Sequence, residues 1–480
     1  MHLAVIGGGA ASVALLDALA RSLAPGHRLR GVTVFDDSAQ LWTGRPFQPD
    51  LTAVRVNLPP RQMSVRHDDA THFEQWLLRR PGLSPDDYRD KDLGQPLVPR
   101  GVYGEYLAQC ARQALDELRR RGLAVEIVRE RVTGYGHEDG VAFLETATGR
   151  HRADHMAVCV GTAAAPDHYG LAGLDGFVAD PYPLATTLST VAPDQDVTVI
   201  GSGLSAVDVV ASLQSLGHRG GITLASRSGV LPFVQQRARP VEFQHLTKER
   251  LHALRDRAGE LTLADLAPLM RAELQARGQD FTVLEQELRE TYTEPPVDRL
   301  RRQIDAIDSP HMGRRLLVRA VRSLGPAALR LLSPAALGAL RERHFRVLSS
   351  LCAPMVPLNA RLLLRLFDSG RLTLATGLQK IESTAGGGFQ VVTESGELRA
   401  DVVVNAVNAA PHSAPSTAAP LFSALVASGV AGYDGTGGLV SASPTVHTLG
   451  DFSGGGLFIT SSMAGLVARA QGVVAALHAA

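Results

Sequence analysis

Four short runs of apolar, largely β-branched residues punctuate the chain: Leu3 to Ile6, Val32 to Phe35, Val197 to Ile200 and Ile222 to Ala225. Runs that are apolar at nearly every position, not at every second one, mark strands buried on both faces, as in a parallel sheet. The first and third lead straight into a glycine turn and then a helical repeat, so the strand–turn–helix–strand unit occurs twice. From Leu246 to about Arg346 the pattern changes to helix formers with frequent Arg, Leu and Glu, which predicts a helical insertion. Strand-like sequence returns near Leu372, and Gly386 to Gly388 supply a turn before Phe389 to Thr393, predicting a hairpin.

The glycine turns carry chemistry. Gly7-x-Gly9-x-x-Ser12 follows a strand and opens a helix, the context in which such glycines bind a dinucleotide. Gly7 allows the tight turn, and Gly9 removes the side chain that would block a pyrophosphate. The helix start offers unpaired N–H groups and a positive dipole end. Ser12 takes the third position, where a small residue lets helix and strand approach. Asp36, with Asp37 as fallback, ends the second strand, where a carboxylate accepts bonds from a ribose diol and repels a 2′-phosphate. That unit suits FAD or NAD. Gly201-x-Gly203-x-x-Ala206 repeats the spacing, but the next strand ends in Ser226-Arg227. A hydroxyl and a guanidinium there suit a 2′-phosphate, which selects NADPH. The fold class is therefore α/β, with two Rossmann-like dinucleotide-binding domains and a helical insertion.

Bulk properties narrow the alternatives. Lys plus Arg equals Asp plus Glu at 48 each in 480 residues, so no global field draws the chain to nucleic acid or an anionic membrane. Cys110, Cys159 and Cys352 lie far apart and form no C-x-x-C, which argues against a dithiol centre and a disulfide framework and fits a reducing cytoplasm. The sixteen histidines are dispersed, so no metal site is expected. The first twenty residues lack a basic flank and are broken by Gly7 to Gly9, and no stretch of 18 apolar residues occurs elsewhere. Neither a signal peptide nor a membrane span is expected.

Several segments resemble a known group: "VNLPPRQMSV" (Val56 to Val65), "HFEQWL" (His72 to Leu77), "PRGVYGEYL" (Pro99 to Leu107), "GSGLSAVDVVASLQSLGHRG" (Gly201 to Gly220) and "SRSGVLP" (Ser226 to Pro232). The chain is similar to the two-dinucleotide-binding flavoproteins that include flavin-containing, Baeyer–Villiger and N-hydroxylating monooxygenases, and most of all to a bacterial FAD/NAD(P)-binding subgroup. The resemblance implies FAD at the first unit. It implies that Asn57, in Asn57-Leu58-Pro59 with Met63, lies beside the flavin as the best single catalytic candidate. It also implies that Gly161 marks a crossing between domains, with Val404 to Asn408 as a later counterpart. Asp451 after Gly450 would bond the FAD ribitol, and a helix from about Thr460 would face the flavin. The Phe-x-Gly-x-x-x-His signature of the first two classes is missing from the linker before Val197.

These readings divide the chain into residues 1–165 (FAD domain, first part), 166–245 (NADPH domain, first part), 246–345 (helical insertion, covering the substrate), 346–384 (return of the NADPH domain) and 385–480 (FAD domain, second part). Within the insertion, Arg314, Arg315, Arg343 and His344 read first as solvated helix faces and second as partners for a substrate carboxylate. Two dinucleotides imply hydride transfer from NADPH to FAD. With disulfide and metal acceptors set aside, O2 is the simplest acceptor. The leading expectation is a monooxygenase that hydroxylates a small nucleophile, an amine or amino-acid nitrogen, through a C4a-hydroperoxyflavin. The alternatives are a C–N oxidase or dehydrogenase and a non-catalytic redox-sensing flavoprotein.

Overall fold

The computed structural model describes every residue except 24–25, 139–140, 455–461 and 480. Ten strands build two parallel sheets. In chain order they are β1 (His2–Ile6), β2 (Gly31–Phe35), β3 (Ala124–Val128), β4 (His155–Val158), β5 (Phe177–Val178), β6 (Val197–Ile200), β7 (Ile222–Ser226), β8 (Leu372–Thr376), β9 (Val402–Asn405) and β10 (Val446–Thr448). The first sheet runs β10-β4-β1-β2-β3 and the second β5-β9-β6-β7-β8. β1 and β6 lie at the centre of their sheets and are buried on both faces, which is why their sequences show no alternation. In each sheet the strand order reverses beside the first βα turn, which puts a crevice at the carboxyl ends of the strands.

Seven helices matter for the site: α1 (Ala10–Ser22), α2 (Arg100–Arg120), α3 (Leu204–Ser215), α4 (Pro296–Asp305), α5 (Gly313–Leu331), α6 (Pro357–Asp368) and α7 (Met463–Ala479). Leu15, Leu19, Leu107, Ala111, Val467 and Ala470, from α1, α2 and α7, join the apolar core of the first sheet. Val207 and Val210 of α3 pack on the second sheet with Leu300 and Ile304 of α4 and Leu363 of α6. The helical region from Lys248 to Cys352 has a further core of its own, around Leu274, Leu284 and Leu316. Because α4 adds side chains to the core of the second domain, the insertion is anchored to that domain.

One boundary differs from the sequence reading. Residues from 385 onward were assigned to the first domain, yet β9 pairs with both β5 and β6 in the middle of the second sheet. The chain leaves that sheet only after Asn405. A four-residue apolar run carries no information about which of two sheets will accept it, since both offer the same backbone partners. The hairpin predicted around Gly386 to Gly388 forms between Lys380–Ser383 and Phe389–Thr393. Among the described residues, no helix is long and apolar enough to cross a membrane.

Candidate functional site

At the end of β1 the Gly7 N–H donates to the Phe35 carbonyl at 2.8 Å, and Gly7 adopts φ +102°. A Cβ there would lie 2.4 Å from the Cys159 carbonyl oxygen, so only glycine fits between β1 and β4. Gly9 caps α1, and a Cβ on it would meet nothing closer than 3.7 Å, which leaves the helix start open to a bulky anion. The buried Ser12 hydroxyl donates back to the Gly7 carbonyl, tying helix to turn. Asp36 accepts from the Gly8 N–H at 2.6 Å and the Ser38 N–H at 2.7 Å, so its carboxylate faces the turn. Asp37 is exposed and pairs with Arg131 at 2.9 Å.

The second turn repeats this geometry. Gly201 donates to the Ala225 carbonyl at 2.7 Å with φ +113°, Gly203 caps α3 with no atom within 4 Å of an added Cβ, and Ala206 is fully buried. Ser226 departs from its expected role. It is buried, accepts the Gly229 N–H at 2.9 Å, and lies 3.2 Å from the Ser202 hydroxyl, so it closes the loop after β7 and does not present a free hydroxyl to a phosphate. Serine at the start of a tight turn commonly satisfies its own loop in this way. Arg227 is exposed. Arg346, which the sequence did not single out, lies near enough that its guanidinium is pushed below the usual arginine range, first by burial and then by the positive charge of Arg227.

Between the units lies a cavity of about 970 Å³, lined by Ala10 of the first turn, by Asn57, Leu58 and Met63, by Phe233 and by the face of α5. Asn57 is half-buried, and its amide has no hydrogen-bond partner among the described residues. The segment that carries it is held by two buried tyrosines of α2. Tyr103 donates to the Met63 carbonyl at 2.8 Å, and the Tyr106 hydroxyl accepts the Val65 N–H at 3.1 Å. That explains the spacing in "PRGVYGEYL", since residues three apart share a helix face. Gly161 follows β4 with φ +80°. Gly450, at φ +138°, follows the Leu449 N–H that donates to Val158 at 2.9 Å, so Asp451 sits at the carboxyl edge of the first sheet. His412 was missed. It is buried with φ +64°, and its Nδ1 lies 3.1 Å from the Asp451 carbonyl oxygen. No glycine or motif pointed to it. Thr460 lies outside the described residues; the described part of α7 begins at Met463, which lines the cavity.

Arg314 and Arg315 are not solvated, contrary to the first reading. Arg315 is buried and donates to the carbonyls of Arg237, Ser309, His311 and Ile307, and burial pushes its guanidinium down to about 10. Arg314 bonds the Val234 carbonyl at 3.3 Å and lies 3.5 Å from Glu287. Helical spacing alone does not tell a solvated arginine from one that binds carbonyls inside a bundle. Arg343 and His344 are exposed. The two dinucleotide units are locked together at Arg100, whose guanidinium meets Asp208 of α3 at 2.6 Å while the Tyr182 hydroxyl donates to the same carboxylate at 2.6 Å. Burial is the largest single influence on Arg100 and works against its charge, but Asp208 and Tyr182 together outweigh it and raise its pKa. Arg45 makes a bidentate pair with Asp180 at 2.9 and 2.6 Å across the same junction.

Two parallel sheets with matching glycine turns, a crevice between them and an insertion over it define the fold of the two-dinucleotide-binding flavoproteins. Residues 4–163 match the family model described as FAD-NAD(P)-binding, so this part is an FAD/NAD(P)-binding domain. The whole chain superposes on the ornithine N-hydroxylase of Kutzneria sp. 744, solved with reduced FAD, NADP+ and L-ornithine, with a TM-score of 0.55, 14% identity, and coverage of 99% of this chain and 98% of that one. It is similar in fold to the FAD-bound cadaverine monooxygenase of the desferrioxamine pathway of Erwinia amylovora (TM-score 0.55, 13% identity, 100% and 94% covered). The ornithine hydroxylase of Pseudomonas aeruginosa gives a TM-score of 0.53 at 13% identity, with 100% and 98% covered. No curated protein sequence matches the chain.

Proposed function

We propose that this chain is an FAD-dependent, NADPH-consuming monooxygenase that hydroxylates a small nucleophile, an amine or amino-acid nitrogen. The observation that carries the reading is the cavity in which the unpaired amide of Asn57 and the start of α1 share a wall, closed on the other side by α5 of the insertion. When bound, FAD and NADPH supply the hydride and oxygen chemistry. The chain's own residues bind and orient. The first turn with Asp36 holds the adenosine end of FAD, and Asp451 meets its ribitol. Gly201, Gly203 and Arg227 hold NADPH, with Arg346 as a second contact for the 2′-phosphate. The Asn57 amide donates a hydrogen bond at the reacting face without titrating, so it orients an oxygen without delivering a proton early. Phe233, Val318 and Val321 line the cavity with apolar surface and limit its water. The superposed N-hydroxylases support a nitrogen nucleophile. Labelled dioxygen tests the reading. Label in a hydroxylated product, with substrate-stimulated NADPH oxidation, is the expected result; oxidised product without label would favour C–N oxidation instead.

A further inference from the structure

The cavity wall is unusual in its charge. Seven arginines line it, and among the described lining residues there is no Asp, Glu, His or Lys. Arg100 and Arg314 have carboxylate partners, Asp208 and Glu287. Among the described residues, the other five have none. Arg315 is spent on carbonyls, Arg322 donates to the Cys352 carbonyl at 2.7 Å, Arg239 to that of Asp308 at 3.0 Å, and Arg469 to that of Gly454 at 3.1 Å. Carbonyls orient a guanidinium but leave its net charge in place. Arg319 is exposed, and its side chain has no partner among the described residues.

Three of these charges form a line. Arg315, Arg319 and Arg322 recur at i, i+4 and i+7 of α5, a helix with no acidic residue, while Leu316, Ala320 and Leu324 beside them enter the core of the insertion. Like charges at this spacing oppose the helix, and Arg314 and Arg315 in its first turn also oppose its dipole. A helix that accepts these costs along one cavity-facing stripe has the makings of an anion site.

We propose, building on the monooxygenase reading of this cavity, that the nitrogen nucleophile taken up is carried by a polyanion: an amine with an apolar midsection set against Phe233, Val318 and Leu351, and two or more carboxylate or phosphate groups that meet Arg239, Arg319 and Arg322. A diamine would carry two positive charges into the same wall. The neighbours named for ornithine and cadaverine therefore share the fold of this chain but not its substrate charge.

The test uses full-length protein loaded with FAD and NADP+, so that cofactor phosphates have already taken any arginine they need. Citrate, glutarate, inorganic pyrophosphate, cadaverine and ornithine are titrated at constant ionic strength while thermal unfolding is followed. The polyanions are expected to raise Tm saturably and cadaverine is not; citrate against pyrophosphate tells carboxylate from phosphate. Arg319→Gln is expected to weaken polyanion binding about tenfold, the scale of one charge-assisted hydrogen bond, without lowering the Tm of the unliganded protein, and Arg319→Lys to restore most of the affinity. An anion effect no larger than that of sodium chloride, a larger shift with cadaverine, or unchanged binding in Arg319→Gln would overturn the proposal. Bleaching of the flavin by NADPH and uptake of labelled oxygen are scored in parallel with glutamate and 2-aminoadipate, anionic amines that carry the nitrogen the monooxygenase reading requires. Anion binding without either sinks the monooxygenase reading alone, and turnover without anion preference sinks the polyanion alone.

Discussion

Single residues shape the two glycine turns, and their consequences are sharply local. Gly7→Ala would place a methyl group 2.4 Å from the Cys159 carbonyl at a left-handed φ, so the variant is expected to purify without bound FAD. Flavin absorbance per mole of protein checks it. Arg227→Ala is expected to raise the KM for NADPH about tenfold while that for NADH changes little, because only NADPH carries the phosphate the guanidinium would hold. Equal changes for both cofactors would remove Arg227 from the site. A pH effect arises elsewhere. His155 and His447 stack on neighbouring strands, with ring centroids 5.9 Å apart and 5° between planes. Burial, then the neighbouring His155, pushes the His447 imidazole down to about 4, and burial lowers His155 too. An unfolded histidine titrates near 6.5, so below about that pH the unfolded chain takes up protons that the folded chain declines. Stability from these neutral rings is therefore full above about pH 6.5 and falls as pH drops toward about 4. Urea midpoints at about pH 7.5 and about pH 5 measure the loss, and His447→Phe is expected to flatten it. The glycine turns were legible because a turn and the strand beside it are contiguous in sequence. The histidine pair was not, since β4 and β10 are nearly 300 residues apart and meet only in the sheet.

At the scale of elements, α2 does two jobs. Its first residue, Arg100, reaches Asp208 in α3, and its tyrosines hold the Asn57 segment. Asp208→Asn leaves a buried guanidinium without its counter-charge and is expected to destabilise the protein by about 3 kcal/mol, with faster hydrogen exchange at the domain junction. Denaturant unfolding and exchange measured together show whether the loss is global or confined to the junction. Tyr103→Phe removes only the bond to the Met63 carbonyl and is expected to cost about 1 kcal/mol while loosening FAD retention. A full-strength FAD affinity in that variant would mean that packing alone holds the segment. The motif containing these residues stood out in sequence as a resemblance. What its tyrosines do was invisible there, because their partners lie some 40 residues upstream and outside any helix.

For the whole molecule, two local rules repeated in one chain define the architecture. A buried strand, a glycine turn and a helix start are set by neighbouring residues, so both units and the helical insertion could be read from contiguous sequence. Their assembly followed other physics. Backbone pairing is indifferent to side-chain identity, so only the folded chain decided that β9 joins the second sheet and shifts the boundary away from residue 385. Burial is likewise a property of the assembled molecule. It turned Arg315 inward onto carbonyls, closed Ser226 into its own loop, and put arginines from four separate stretches of chain around one cavity. Charge balance over the full sequence is zero, with 48 residues of each sign, yet the described residues that line that cavity carry one sign only. Sequence determined the two strand–glycine turn–helix units, because each is built by neighbours along the backbone. The tertiary structure decided what lines the cavity, because that wall is assembled from residues that only folding brings together.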